Sequence, residues 1–203
     1  MRQILVRGIF ATTLLLNGCM VASIPPVQTY TLGYQVTGLH AAAKRCQANT
    51  KIIRLAAISA LLPYTTQDII YSDGPNQLNH YLYSRWNDAP VRLLAKLFQQ
   101  TLQSVGLFKA VVSDASVSKA DYLLESELLE FRQLISDQSH SEVRITMEFR
   151  LLDPKTRQVI SVKHIQQQQP VASINARGAV EAFNQASQSV ADALVRWLQK
   201  NLC

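Results

Sequence analysis

A chain of 203 residues with 48% hydrophobic and 17% charged residues has the apolar content of a folded protein, which excludes disorder over most of its length. The formal net charge of +6 is scattered without a basic run of five, which excludes a nucleic-acid-binding stripe, and seven glycines leave little for phosphate-cradling loops.

The first element is an export signal. Arg2 and Arg7 precede an apolar run from Ile9 to Leu16 that is shorter than the roughly 20 residues a membrane span needs. The run ends in Leu16-Asn17-Gly18-Cys19, which resembles the lipobox of bacterial lipoprotein signals. The resemblance implies that residues 1–18 are removed and that Cys19 carries the lipid, palmitate included. At about 0.8 kcal/mol per buried methylene, two or more acyl chains hold firmly where one does not. Met20, where an Asp would mark retention, implies the outer membrane, facing the periplasm of a Gram-negative bacterium. The competing reading is an ordinary secretory signal cut near Ala22 or Ser23, although no A-x-A-like site stands there. Arg2 and Arg7 leave with the signal, and the mild positive excess that remains suits weak attraction to anionic lipid headgroups.

Residues 19–28 form a lipidated linker kept extended by Pro25 and Pro26, and residues 29–203 form one domain. Thr29 to Val36, rich in aromatic and β-branched residues, predicts a first strand, followed by a loop or ragged turn over 37–50. The nearly continuous apolar run from Lys51 to Leu61 predicts a strand buried on both faces. Ile69-Ile70-Tyr71 and Leu78 to Trp86 flank Ser72-Asp73-Gly74-Pro75-Asn76, whose turn formers predict a hairpin. In its second arm a period of two places Tyr81, Tyr83 and Arg85 on one face and His80, Leu82 and Trp86 on the other.

Asp88 as N-cap, Pro90 in the first turn and Gly106 as terminator bracket a helix striped by Val91, Leu94, Leu97, Phe98 and Leu102. A short strand over Lys109 to Val112 follows. Tyr122 to Leu134 reads as a strand bulged at Leu128-Leu129. Val143, Ile145, Met147, Phe149 and Leu151 alternate with Arg144, Thr146, Glu148 and Arg150, giving one core face and one wet face. Asp153-Pro154-Lys155-Thr156 turns that strand into Val159 to Gln167, and Asn175 starts a last helix striped by Val180, Phe183, Val190, Leu194, Trp197 and Leu198. The order implies an α/β fold: a mixed, largely antiparallel central sheet covered by two long helices, after the N-terminal lipoprotein signal.

With Cys19 taken by lipid, Cys46 and Cys203 are left as an even pair in an oxidising compartment. They predict a disulfide joining the end of the last helix to the loop after the first strand, against the alternative of two free thiols.

Catalytic motifs are missing from the sequence: no G-x-S-x-G, H-E-x-x-H, P-loop or C-x-x-C. His40, His80, His140 and His164 are widely separated, so no metal is expected, nor any cofactor beyond the covalent lipid. Glu125, Glu127 and Glu130 cluster on one strand, but Glu125 and Glu127 share a face beside Arg144 and Arg150 of the next strand, where cross-strand charge pairing explains them better than acid/base catalysis. Tyr71, Tyr81, Tyr83, Arg85 and Trp86 are the residue types that dominate protein interfaces, and they are the partner-binding candidates. Burial in the core is the rival reading, above all for Trp86 and Tyr83.

Three blocks resemble the ABC-type transport auxiliary lipoproteins, a family that includes the lipoprotein of the paraquat-inducible system. They are Pro25-Pro26 with Tyr30-Thr31-Leu32, Ile69-Ile70-Tyr71 running through Gly74-Pro75-Asn76 to Tyr81, Tyr83, Arg85 and Trp86, and Ala120-Asp121-Tyr122-Leu123-Leu124 with Phe131. Thr66-Gln67 departs from the Arg-Pro often found there. The resemblance implies a non-catalytic auxiliary component of an intermembrane lipid transport system, supporting membrane integrity. It would work beside an MCE-type substrate-binding protein, a permease and an ATPase. Self-association into a homo-oligomer fits a chain confined to a surface. A lipid-binding carrier and a lipoprotein hydrolase are the alternatives.

Overall fold

The computed structural model describes residues 25–33 and 46–203. The signal, Cys19, His40 and the end of the expected first strand fall outside them. Among the described residues nine strands form one mixed sheet, with two long helices packed on one face. This is the α/β architecture expected.

The sheet is organised around β7 (Tyr122–Ile135). Along one edge it pairs antiparallel over its whole length with β8 (Ser141–Asp153), which pairs in turn with β9 (Gln158–Pro170). Three short strands share the other edge, all parallel to β7. β2 (Ile52–Leu55) meets Tyr122 to Leu124, β3 (Ser59–Ala60) meets Glu127 and Leu128, and β4 (Asp68–Ser72) meets Gln133 and Leu134. Beyond them lie β6 (Ala110–Ser113) on β2, and β5 (Asn79–Trp86) on β4 with β1 (Gln28–Tyr30) outside it. The antiparallel ladders are the long ones.

Helix α1 (Pro90–Val105) starts at Pro90 and stops at Gly106, whose φ of 66° is the left-handed conformation that favours glycine. Helix α2 (Ala176–Leu202) is capped by Asn175, whose Oδ1 accepts from the Gly178 amide at 3.0 Å. A Cβ on Gly178 would stand 2.2 Å from the Ser173 carbonyl oxygen, so only glycine lets the preceding turn close against the helix. The apolar stripe of α2 is buried as the sequence predicts, on the face of β8 that carries Val143, Ile145, Met147, Phe149 and Leu151. Burying each such side chain stabilises the fold by about 1.5–3 kcal/mol. At the centre Phe131 and Phe183 stack at 4.3 Å, and Trp86 meets both edge-on at 5.9 and 5.6 Å.

Cys46 and Cys203 are joined, with Cα atoms 4.8 Å apart, tying the end of α2 to the 3-10 turn Gln47–Thr50 that precedes β2. On the open face Glu127 pairs with Arg150 at 3.4 Å, and Glu130 with Arg132 at 2.7 Å and Arg144 at 3.9 Å. Glu125 stands opposite Arg150 in the ladder, but that guanidinium reaches Glu127 and Glu148 instead.

Several expectations are corrected. The run from Lys51 to Leu61 is two strands, β2 and β3, with only Ile53 and Leu55 of β2 buried, because β7 offers its edge at two separate places. The strand expected from Thr29 is, among the described residues, only Gln28–Tyr30. The N-cap of α1 is Ala89; Asp88 instead accepts from the Ala89 amide at 2.7 Å and pairs with Arg92. Strict alternation also fails in β5. Between the pairs Asp68↔Arg85 and Ile70↔His80 the register slips, so Trp86 and Tyr81 both pack on the core while Leu82 is 73% exposed.

Candidate functional site

The five aromatic and cationic candidates of the hairpin separate into three groups. Trp86 is fully buried between Phe131 and Phe183 and offers no surface to a partner, which corrects its place among the contact residues. Tyr71 and Tyr81 are half-buried with ring centroids 4.9 Å apart, and the Tyr81 hydroxyl donates to Gln133 Oε1 at 2.7 Å. Gln133 is itself fully buried and donates from Nε2 to Ser141 Oγ at 2.7 Å, so Tyr81 belongs to a satisfied internal chain of hydrogen bonds. Burial pushes the Tyr81 phenol up to about 12, reinforced by Tyr71 and opposed by the bond to Gln133. Only Tyr83 and Arg85 of the five are exposed.

Tyr81, Leu82 and Tyr83 line an open groove of about 490 Å³ that reaches Pro25 and Pro26 on one side and Arg177, at the start of α2, on the other. The N-terminal segment is held there by two devices. β1 pairs with the end of β5, and the Asn184 side chain of α2 accepts from the Gly33 amide at 2.6 Å while donating to the Val180 carbonyl at 2.8 Å. The chain therefore reaches the domain at one defined end, beside the groove. Of the sequence candidates Tyr83 and Arg85 remain accessible; Gln133 was not among them, although its signal was a polar residue two places after Phe131 on a core-facing strand. Nor was Asn184, for which position alone gives no signal.

No group of three metal-ligating side chains occurs among the described residues, and no helix among them is long and apolar enough to cross a membrane. His140 sits on Asp137 at 2.9 Å in the turn between β7 and β8. The Ser139 amide, then the Ser139 hydroxyl and His140, hold the Asp137 carboxyl far below its ordinary range, which marks a turn-stabilising Asp.

The profile of the family described as "ABC-type transport auxiliary lipoprotein component" matches residues 30–195. Among solved structures the chain is similar to protein XCC0632 from Xanthomonas campestris, with a TM-score of 0.78 at 20% identity over 86% of this chain and 96% of that one. An uncharacterized protein follows at TM-score 0.66 and 12% identity, covering 86% of this chain and 99% of the other. The hypothetical protein CT253 from Chlamydia trachomatis aligns with a TM-score of 0.50 at 12% identity, over 76% of this chain and 98% of that one. At these identities the likeness shows the fold alone. None of the curated proteins matches.

Proposed function

The chain belongs to the ABC-type transport auxiliary lipoprotein components, and from that premise we propose that it is a non-catalytic adaptor held on the outer membrane by lipid on Cys19. In this reading it faces the periplasm and engages an MCE-type substrate-binding protein of an intermembrane lipid transport system. The observation that carries the reading is the family match together with the fixed path of residues 25–33, clamped by β5 and by Asn184 at one end of the domain. A tether leaving a defined end presents the rest of the domain to the periplasm in a limited set of orientations. That lowers the orientational cost of capture. Tyr83 and Arg85, the two exposed candidates, lie at that end and are the proposed contacts there.

The test is made in cells. Labelled palmitate should incorporate into the full chain and not into Cys19→Ser, and the label should sediment with outer-membrane rather than inner-membrane fractions. Crosslinking of the anchored chain should retrieve the substrate-binding protein, and Tyr83→Ala with Arg85→Ala should weaken that capture while leaving urea unfolding unchanged. A Cys19→Ser protein that stays on the membrane and supports transport fully would end the reading.

A further inference from the structure

At the end of the sheet farthest from the incoming chain, the open face changes character. Arg54, Leu123, Leu152 and Val159 stand side by side in one register row across β2, β7, β8 and β9, with Glu125, Arg150 and Val162 in the row above. Val159 and Val162 are half exposed on β9, which forms an outer edge of the sheet, and Val117 in the loop after β6 is fully exposed. An apolar row that runs out onto an exposed strand edge is a surface proteins ordinarily cover.

Its rim is positively charged. A groove of about 370 Å³ beside Leu123 and Pro154 is lined by Arg54, Lys119 and Lys155 and by no carboxylate among the described residues. Of the nearest acids, Glu125 stands outside the groove in the row above, opposite Arg150, and the other two are engaged. Asp121 accepts from the Ile52 amide at 3.0 Å and from Lys51 at 3.4 Å, and Asp153 accepts from the Lys155 amide at 2.7 Å. The Arg54 guanidinium is pre-set: one Nη2–H donates to the Ser118 carbonyl, while its buried Nε–H has no hydrogen-bond partner. A carboxylate approaching along the groove meets a donor already oriented toward its neighbours and two flexible ammonium groups.

We propose that this end is a docking site for an acidic segment of a partner protein with an apolar side, its carboxylates on Arg54, Lys119 and Lys155 and its apolar residues over Leu123, Leu152 and Val159. Charge complementarity selects that occupant over a second copy, whose corresponding surface carries the same three cations. Position selects a protein over the anchoring membrane, on the reading that Cys19 is the anchor. The chain comes in beside the N-terminal end of α2, and the row lies toward the other end of that 27-residue helix, about 40 Å away at 1.5 Å per residue. Six residues of tether from Cys19 to Pro25 reach only about 20 Å.

The test places a photo-crosslinking residue at Val117 in the full, membrane-anchored chain and reads the crosslinked segment by mass spectrometry. The expected product is one segment of a transport-system protein carrying several Asp or Glu among apolar residues. Its yield should fall as salt is raised from about 0.05 to about 0.5 M, where the screening length drops below about 5 Å. The pair Lys119→Glu and Lys155→Glu should lower the yield about tenfold, and reversing the acids of the captured segment to Lys should restore it. Both lysines are side-chain cations of surface loops, and unchanged urea unfolding checks that the fold survives. Crosslinks to lipid, to a second copy, or to a segment without acids would overturn the proposal, as would a yield indifferent to salt or no crosslink at all. Repeating the experiment in Cys19→Ser separates the two readings. A segment captured equally well without the anchor keeps the docking site and removes the positional argument.

Discussion

Cutting the bond between Cys46 and Cys203 has a magnitude set by topology. The bond closes a loop with a sequence separation of 157, spanning every element from the turn before β2 to the end of α2. In the chain-entropy picture, releasing a loop of this size raises the freedom of the unfolded chain by about 17 cal/mol/K, or about 5 kcal/mol at 25 °C. Residual compactness of the unfolded chain lowers that figure, so Cys46→Ala with Cys203→Ala should cost about 3–5 kcal/mol. Using both alanines avoids a lone thiol at Cys46, which is buried. With a urea slope of about 2 kcal/mol/M, the midpoint should move down by about 2 M. The assay is equilibrium urea unfolding of the mature domain, followed by circular dichroism, oxidised wild type against the double variant. The native spectra should agree, because the helix end is also packed through Trp197 and Leu198. A midpoint shift below about 0.5 M at unchanged slope would refute the loop argument.

Three further outcomes follow from the core and the caps. Trp86→Ala should cost about 3–5 kcal/mol, whereas Trp86→Phe should cost less than about 1.5 because it keeps a ring against Phe131 and Phe183 and removes an unpartnered buried indole N–H; a stable Trp86→Ala in urea would contradict its burial. Gly178→Ala gains about 1 kcal/mol in helix propensity, but its Cβ meets the Ser173 carbonyl oxygen at 2.2 Å, so the net effect should be a loss of about 2 kcal/mol or more, and a thermal midpoint at or above wild type would refute it. Tyr81 keeps its proton to about 12 in the folded chain, whereas an unfolded tyrosine ionises near 10. Its contribution is therefore complete below pH 10 and is lost as pH rises from about 10 to about 12, a slope that Tyr81→Phe should reduce in urea unfolding at graded pH, the remainder coming from Tyr64, whose phenol burial also raises.

What the sequence made legible is what local chemistry decides. The alternation from Val143 to Leu151, the turn at Ser72 to Asn76, the Pro90 and Gly106 brackets and the Asn175 cap each act within a few residues, and each stands where expected. The Leu128-Leu129 doublet likewise lands at the irregularity between Leu128 and Glu130. What was not legible depends on distant partners. The apolar run from Lys51 divides because β7 receives β2 and β3 at different heights. Trp86 turns inward because β5 takes five steps where β4 takes two. The same slip separates the candidate site into a buried Trp86, a structural Tyr81 and the two accessible residues, Tyr83 and Arg85. The apolar row at the far end is also invisible in one dimension, since Arg54, Leu123, Leu152 and Val159 come from four strands.

The shared edge of β7 has a consequence for synthesis. β2, β3 and β4 each lean on a strand that is translated after them, and α2, which seals the sheet, comes last. The half of the polypeptide that leaves the ribosome first thus has only the β2–β6 and β1–β5–β4 pairings of its own, and its apolar stretches stay uncovered until the β7–β8–β9 meander arrives. Truncations ending before Tyr122 should aggregate or be degraded, and nascent chains of that length should be found on a holding chaperone.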